Sequence, residues 1–142
     1  MRIDWRVVPH KTQRYDSSGD WYWTEDSSGI VLNIRVSRLS DPRWEFLLGL
    51  HETVEAMLCH FAGVSQRDVD RFDMPLEAAH QAGATVYPCG CARRESSDPG
   101  SDKHAPYGFQ HNIADAVERV VAAVLGIRWD DYDAEVDKPP DL

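Results

Sequence analysis

One segment of the chain places a histidine and two glutamates within an otherwise apolar run typical of a helix. Residues 47–58 read LLGLHETVEAML, with His51, Glu52 and Glu55 as its charged or titratable members. Side chains four residues apart lie on one face of an α-helix, so His51 and Glu55 can approach one ion while Glu52 stands beside them. Ionisable groups among apolar side chains are costly unless they are paired or bind a metal. The spacing therefore predicts a metal site.

A second element must supply the remaining ligand, because one helix cannot surround an ion. Zinc binds imidazole nitrogens and carboxylate oxygens, and a catalytic site usually has three protein ligands and a fourth position for water. His111, on a later predicted helix, is the expected third ligand. Glu118 is an alternative ligand, or, like Asp115, an acceptor that orients the imidazole. His104 in the preceding loop is a further alternative. We expect zinc as the cofactor, with another divalent metal as the alternative.

Two further side chains are placed to take part in hydrolysis at such a metal. Glu52 is the expected general base, because a metal lowers the pKa of water toward about 7 and a nearby carboxylate can take the proton. Tyr107 lies just before His111 in the sequence and is the expected donor to a developing oxyanion. The substrate is then a small molecule or a peptide. The alternative is that the polar stripe is only the solvent-exposed side of a helix.

The first part of the chain has the alternating pattern of β-strands. Residues 2–8 alternate up to Pro9, and residues 21–36 are typical of two strands joined by a turn at 25–29. With a period of two, Ile30, Leu32, Ile34 and Val36 share one face. The pattern predicts an antiparallel sheet of about three strands within residues 2–37.

Helical periodicity follows the predicted sheet. The helices are expected over about residues 42–62, 65–82 and 107–125, with Gly63 and Gly126 ending the first and third. Their expected core-facing residues are Phe46, Leu47, Leu50, Val54, Met57, Leu58 and Phe61 on the first, Val69, Phe72 and Leu76 on the second, and Ile113, Val117, Val120, Val121 and Val124 on the third.

The remaining segments are rich in residues that do not continue helices or strands. Residues 83–106 are predicted to form a long loop, and residues 130–142 an acidic, frayed C-terminal tail. Asp73 and Glu77, four apart on the second helix, are expected on a solvated face, and the alternative is that one of them joins the metal. Together these elements predict an α+β fold in a single domain over residues 1–142.

Composition excludes several kinds of partner. The formal net charge is -9, which repels a phosphate backbone and argues against nucleic acid. The sequence has neither a long apolar run nor a signal peptide, so we expect a cytoplasmic protein without a membrane partner. Three cysteines are expected to be reduced, and a lone pair at Cys89 and Cys91 is more typical of a loop than of zinc-ribbon spacing. The oligomeric state does not follow from these features.

Residues 48–57 resemble the metal-binding helix of the zincin metallopeptidases. Their HExxH pattern matches at His51 and Glu52, while Glu55 stands at the position of the second histidine. The order of strands, a His-Glu helix and a helix with a further ligand is similar to the small, minimal gluzincin-type fold. The resemblance implies a zincin-like arrangement, bound zinc, a third ligand downstream and peptidase activity.

Two other resemblances imply different functions. Glu52 and Glu55 match the E-x-x-E motif of MazG-type nucleotide pyrophosphohydrolases, which are all-helical and hold magnesium against nucleotide phosphates. The chain is also similar to short phage and prophage proteins without an assigned activity, which allows a non-enzymatic binding protein with a structural metal or none. The stretches that carry this second similarity are 4–16, 51–57, 72–77, 105–118 and 125–132.

Overall fold

The computed structural model describes residues 1–84, 86 and 98–142. Three strands are followed by four helices, which confirms the predicted α+β class. Short 3-10 helices also occur at His10–Thr12 and Pro99–Ser101. The elements are β1 (Arg2–Val8), β2 (Gly19–Asp26), β3 (Gly29–Ser37), α1 (Pro42–Ala62), α2 (Gln66–Gln81), α3 (Gly108–Val124) and α4 (Trp129–Asp137).

The sheet is mixed rather than antiparallel. Its order is β1-β3-β2, with β2 antiparallel to β3 across a hairpin in which Gly29 has a φ of 109°. β1 pairs with the other edge of β3 and runs parallel to it, from Arg2 beside Val31 to Val8 beside Ser37. The prediction of an antiparallel sheet was therefore wrong for β1. Residue alternation determines which side chains share a face, but not which edge a strand joins or in which direction it runs.

The central strand supplies the core of the sheet. Leu32, Ile34 and Val36 are fully buried, on the face predicted for them, whereas Ile30 at the start of the strand is exposed. Leu47 and Ala56 of α1 belong to the same apolar cluster. This packing holds α1 against the sheet and so determines how the helix presents its polar residues.

The ends of α1 follow from local chemistry. The Asp41 side chain accepts a hydrogen bond from the Arg43 backbone N–H, Pro42 takes the first turn, and Gly63 ends the helix with a φ of 74°. α1, α2 and α3 lie within a residue or so of their predicted ranges. Among the helices that the structure describes, none combines the length and apolar character that crossing a membrane requires.

The predicted core faces of α1 and α3 were partly wrong. On α3, Ile113, Val120 and Val124 are exposed, and the buried residues include His111 and Glu118. On α1, Phe46 and Phe61 are exposed. The residues buried on α1 are Leu47, Leu48, Gly49, His51, Glu52, Glu55, Ala56 and Cys59. The two helices face each other with polar stripes, because these side chains satisfy one another's hydrogen bonds, as described below.

The C-terminal segment is helical rather than a frayed tail. In α4, Tyr132 is buried, and Trp129 and Val136 are partly buried against the core. Their spacing of three and four residues places these apolar side chains on one helical face, and the acidic first turn favours the positive end of the helix dipole. High acidic content concealed this short amphipathic pattern.

Candidate metal centre

Three predicted ligands from two helices meet in the interior. His51 Nε2 lies 3.2 Å from His111 Nδ1 and 3.5 Å from Glu55 Oε2, and His111 Nδ1 lies 2.9 Å from the same oxygen. All three residues are buried. The structure thus brings His51 and Glu55 of α1 together with His111 of α3, as the sequence predicted, in a group that can hold a metal ion.

The spacing of these atoms fits a small tetrahedral ion. With metal–ligand bonds of about 2.0–2.1 Å, two ligand atoms of a tetrahedral site lie about 3.3–3.4 Å apart. The three observed separations, 2.9, 3.2 and 3.5 Å, bracket that value. Two imidazoles and one carboxylate are also a donor set that transition metals accept. Three protein ligands leave a fourth tetrahedral position for another molecule.

Both imidazoles have a carboxylate at the ring nitrogen that points away from the three-atom group. His51 Nδ1 lies 3.0 Å from Glu118 Oε2, and His111 Nε2 lies 2.8 Å from Asp98 Oδ2. An imidazole N–H that donates to a carboxylate has its tautomer and ring orientation determined, and its other nitrogen can bind a metal once it has released its proton. Tyr132 in turn donates its hydroxyl to Glu118. Glu118 therefore orients His51 rather than joining the three converging atoms.

The remaining oxygen of Glu55 is also held in place. Trp21 of β2 donates its indole N–H to Glu55 Oε1 at 2.8 Å. Glu55 thus keeps Oε2 directed at the two histidines. The hydrogen bonds from His111 and His51 outweigh burial and lower the pKa of Glu55 to about 2. The carboxylate is consequently ionised at neutral pH, as a metal ligand must be.

Two glycines allow close approach to the site. A Cβ atom on Gly19, at the start of β2, would lie 2.2 Å from Glu52 Oε1. A Cβ atom on Gly100, in the 3-10 helix before α3, would lie 2.4 Å from the His111 ring. Any larger residue at these positions would displace Glu52 or His111.

Glu52 lies beside the three-atom group and has no hydrogen-bond partner among the described residues. The residue is only 9% exposed, and no described side chain or backbone group donates a hydrogen bond to its carboxyl group. Burial, followed by repulsion from Glu55, raises the pKa of Glu52 well above its usual range, although His51 opposes the shift. A buried carboxyl group with a raised pKa is typical of a group that exchanges protons.

Tyr107 is buried next to the centre, but its hydroxyl already has an acceptor. It caps α3, one turn before His111, and donates to Asp73 Oδ1 at 2.6 Å. Asp73 Oδ2 accepts a longer hydrogen bond of 3.4 Å from Tyr15. Asp73 is buried, so the expectation that it lies on a solvated face was wrong. The predicted oxyanion role of Tyr107 would require this hydroxyl to leave Asp73.

The other candidates take no part in the three-atom group. Asp115 accepts from Arg119 at 2.9 Å on the surface of α3. His104 is exposed in the segment before that helix. Cys89, Cys91 and most of the predicted loop lie outside the described residues.

Sequence reasoning did not identify Asp98, Trp21 and Tyr132 as residues of the site. Asp98 precedes Pro99 and Gly100, a combination typical of a turn, and this is how it would be interpreted without the fold. Tyr132 had a usable signal, its three-residue spacing from Trp129. Trp21 had none, because its contact with Glu55 joins residues 34 positions apart.

The centre opens into a cavity of about 720 Å³. Its walls come from the start of β2, from α1 and α2, from the turn at Pro99 and from α3 and α4. Glu52, Asp73 and Tyr107 line it next to the three ligands. A molecule in this cavity can therefore reach both the ligand group and the Glu52 carboxyl group.

Comparison with known proteins identified no relative of this chain. The chain matches no protein-family model, no curated protein and no solved structure. The zincin-like arrangement stays a prediction, and function has to be argued from the centre itself.

Replacing Asp98 by asparagine is expected to weaken the binding of a divalent metal, probed with added zinc, about 10- to 100-fold, the usual effect of removing a carboxylate that orients a ligating imidazole. His111 Nε2 would lose its ionised acceptor. Competition with a chromogenic chelator measures the change. Asp141→Asn, at an exposed terminal position, carries the same change of charge and should bind zinc as tightly as the parent chain. Equal affinity in both variants would contradict the assignment.

The metal-free fold is expected to lose stability as the pH rises above neutrality. Burial alone would lower the pKa of His111, but its hydrogen bonds to Asp98 and Glu55 raise it from 6.5 to about 10. Because the pKa is higher in the folded state, this imidazolium stabilises the fold fully below about pH 6.5, and the stabilisation disappears as the pH rises to about 10. Urea unfolding across this range measures the loss.

The same titration in zinc should give a shallower decline, since a ligating imidazole has already released its proton. His111→Gln should flatten the metal-free profile in this pH window, because the residual slope then comes from other groups. Parallel profiles for the metal-free, zinc-loaded and substituted proteins would refute this account of the centre.

Proposed function

We propose that the chain is a zinc-dependent hydrolase in which His51, Glu55 and His111 hold the metal, Glu52 is the general base, and the substrate is a peptide bond. The observation that carries the proposal is the convergence of three ligand atoms 2.9–3.5 Å apart, with a carboxylate behind each imidazole. A site built only for stability would be closed by a fourth protein ligand. Here the ligands adjoin a cavity.

Each residue has a role that its environment supports. Bound zinc would supply a Lewis acid that polarises the substrate carbonyl and lowers the pKa of water. Glu52, which accepts no hydrogen bond from the described residues, takes the proton of the attacking water and passes it to the leaving amine. Glu118 and Asp98 keep the two imidazoles oriented. Tyr107 contributes to oxyanion binding only if its hydroxyl leaves Asp73.

The donor set favours this proposal over the MazG-type alternative. Magnesium prefers oxygen ligands, whereas two of the three converging atoms are imidazole nitrogens. The N-terminal sheet also departs from an all-helical fold. A non-enzymatic role with a structural metal is the remaining alternative.

The test begins with elemental analysis of protein purified without added metal. We expect about one zinc per chain, from the single three-ligand group. The zinc-loaded protein is then incubated with a peptide library and the products are identified by mass spectrometry, beside protein stripped with a chelator. Cleavage that requires zinc supports the proposal.

Three results would contradict the hydrolase proposal. Absence of a transition metal removes the centre. Bound zinc without cleavage of any peptide favours the structural role. Magnesium-dependent release of pyrophosphate from nucleotides favours the MazG-type function.

A further inference from the structure

The cavity beside the metal centre has a strongly unbalanced charge. Thirteen of its lining residues are aspartate or glutamate, whereas Arg119 is the one lysine or arginine among the described residues that line it. Such a concentration of like charge in a partly enclosed space attracts cations and repels anions. Negative charge alone does not define a binding site, so the partners of the individual carboxylates matter.

Several carboxylates that line the cavity have a cationic or imidazole partner within the protein. Arg14 lies 2.7 Å from Asp20 and 3.0 Å from Asp70. Asp98 and Glu118 each accept from an imidazole, as described above. These groups need no ligand to balance them.

Three carboxylates that are buried or only partly exposed differ from these, whereas Asp130, Asp133 and Asp137 line the cavity at exposed positions. Glu52, Asp73 and Glu77 have no lysine or arginine nitrogen within 4.0 Å in the described ranges. Glu52 is nine-tenths buried and lines the cavity without a hydrogen-bond donor from the described residues. Asp73 has only the hydroxyls of Tyr107 and Tyr15. A buried carboxylate without a cation is costly, and a cationic ligand would remove that cost.

Asp73 and Glu77 lie on α2, on the far side of Tyr107 from the metal ligands. Tyr107 joins Asp73 to the centre, since its ring lies 6.3 Å from that of His111. Glu77 is one helical turn beyond Asp73 on α2, on the same face. Burial, with repulsion between carboxylates, raises the pKa of Asp73 to about 8 and that of Glu77 to about 7. The surroundings of these two carboxyl groups thus disfavour their charged forms.

The arrangement suits an organic cation better than a second metal. In the described part of the chain, His51, Glu55 and His111 are the single set of three potential ligands close enough to share an ion. Asp73 and Glu77 do not form another such set. An ammonium or guanidinium group can instead bind carboxylates that lie apart from one another, because it has several N–H groups that donate hydrogen bonds to them.

We propose, on the basis of the hydrolase function above, that the substrate carries an ammonium or guanidinium group which Asp73 and Glu77 bind while Glu52 faces its reacting part. For a peptide, this means a lysine or arginine side chain near the cleaved bond.

The test uses three uncleaved probes that differ only in the side chain: the Nα-acetyl amides of lysine, norleucine and glutamate. Norleucine has the length of lysine without the ammonium. Calorimetric titration of the zinc-loaded full chain should give at least about tenfold tighter binding of the lysine amide than of the norleucine amide, which corresponds to one charge-assisted hydrogen bond. The glutamate amide should bind most weakly.

The variants identify the residues. The double substitution Asp73→Asn and Glu77→Gln should abolish the preference for lysine and retain zinc. Asp141→Asn with Glu25→Gln makes the same change of charge at exposed positions outside the cavity and should keep it. If the first pair prevents folding, Glu77→Gln alone, at a partly exposed position, should reduce the preference.

Equal binding of the three amides, or a preference that survives the double substitution, overturns the proposal. The proposal is also overturned if the zinc-loaded protein binds a calcium or magnesium ion in addition to zinc and the double substitution removes that ion. Zinc-dependent cleavage without a preference for basic residues removes the cation site and leaves the hydrolase. Selective lysine-amide binding by a protein that cleaves no peptide removes the hydrolase and leaves the cation site.

Discussion

Replacing His51 by alanine is expected to abolish stoichiometric zinc binding and to leave the fold in place. His51 Nε2 is one of three converging ligand atoms, and a site with two protein ligands holds zinc poorly. We expect the affinity to fall by more than about 100-fold, beyond the effect of losing an orienting partner. Elemental analysis and competition with a chelator both measure this loss.

His60→Ala provides the matched control. It removes the other imidazole of α1, which is exposed and packs beside Trp23 outside the centre. Zinc present at about 100 times its Kd should stabilise the parent and the control chain by about 2.7 kcal/mol. The same concentration should not stabilise His51→Ala. Full zinc content in the His51 variant would mean that the metal is bound elsewhere.

Replacing Glu52 by glutamine is expected to reduce zinc-dependent peptide cleavage about 10²- to 10⁴-fold, the usual contribution of a positioned general base. Zinc content should not change, because Glu52 is not one of the converging ligands. The decrease should appear in kcat rather than in KM, because the carboxylate acts on the attacking water and not on substrate binding. Steady-state kinetics beside elemental analysis separates this result from loss of the metal.

Stability distinguishes a catalytic role of Glu52 from a structural one. Glutamine has the same shape and removes a buried carboxyl group that accepts no hydrogen bond from the described residues, so the variant should be at least as stable as the parent chain at neutral pH. Glu25→Gln, on the exposed part of β2, should change neither activity nor stability. An unchanged rate in Glu52→Gln would rule out Glu52 as the base.

The sequence predicted the three strands, the first three helices and the three residues that converge, because these depend largely on local geometry. Residues four apart share a face on any α-helix, which places His51 beside Glu55 whatever the helix packs against. The caps at Asp41 and Gly63 similarly delimit α1 from nearby residues alone. His111 was predicted from ligand chemistry, since a second element had to supply another donor.

Only the tertiary structure decided which side of α3 is buried, whereas Val69 and Leu76 of α2 are buried as their spacing predicted. The periodicity of α3 shows an apolar stripe and a polar stripe, and it predicted that Val120 and Val124 face the core. They are exposed instead, because His111 and Glu118 find complementary partners on α1 and α4. Pairing between distant polar groups has no signature in the periodicity of one helix.

The same reason accounts for the contacts that sequence reasoning missed. Trp21 reaches Glu55 from an element 34 positions away, and Asp98 reaches His111 because the turn at Pro99 packs against α3. The direction of β1 also depends on which edge of β3 it joins. The sequence by itself determined a helix equipped to bind a metal and a candidate partner for it. Packing decided that they meet in the interior, because burial is a property of all elements together.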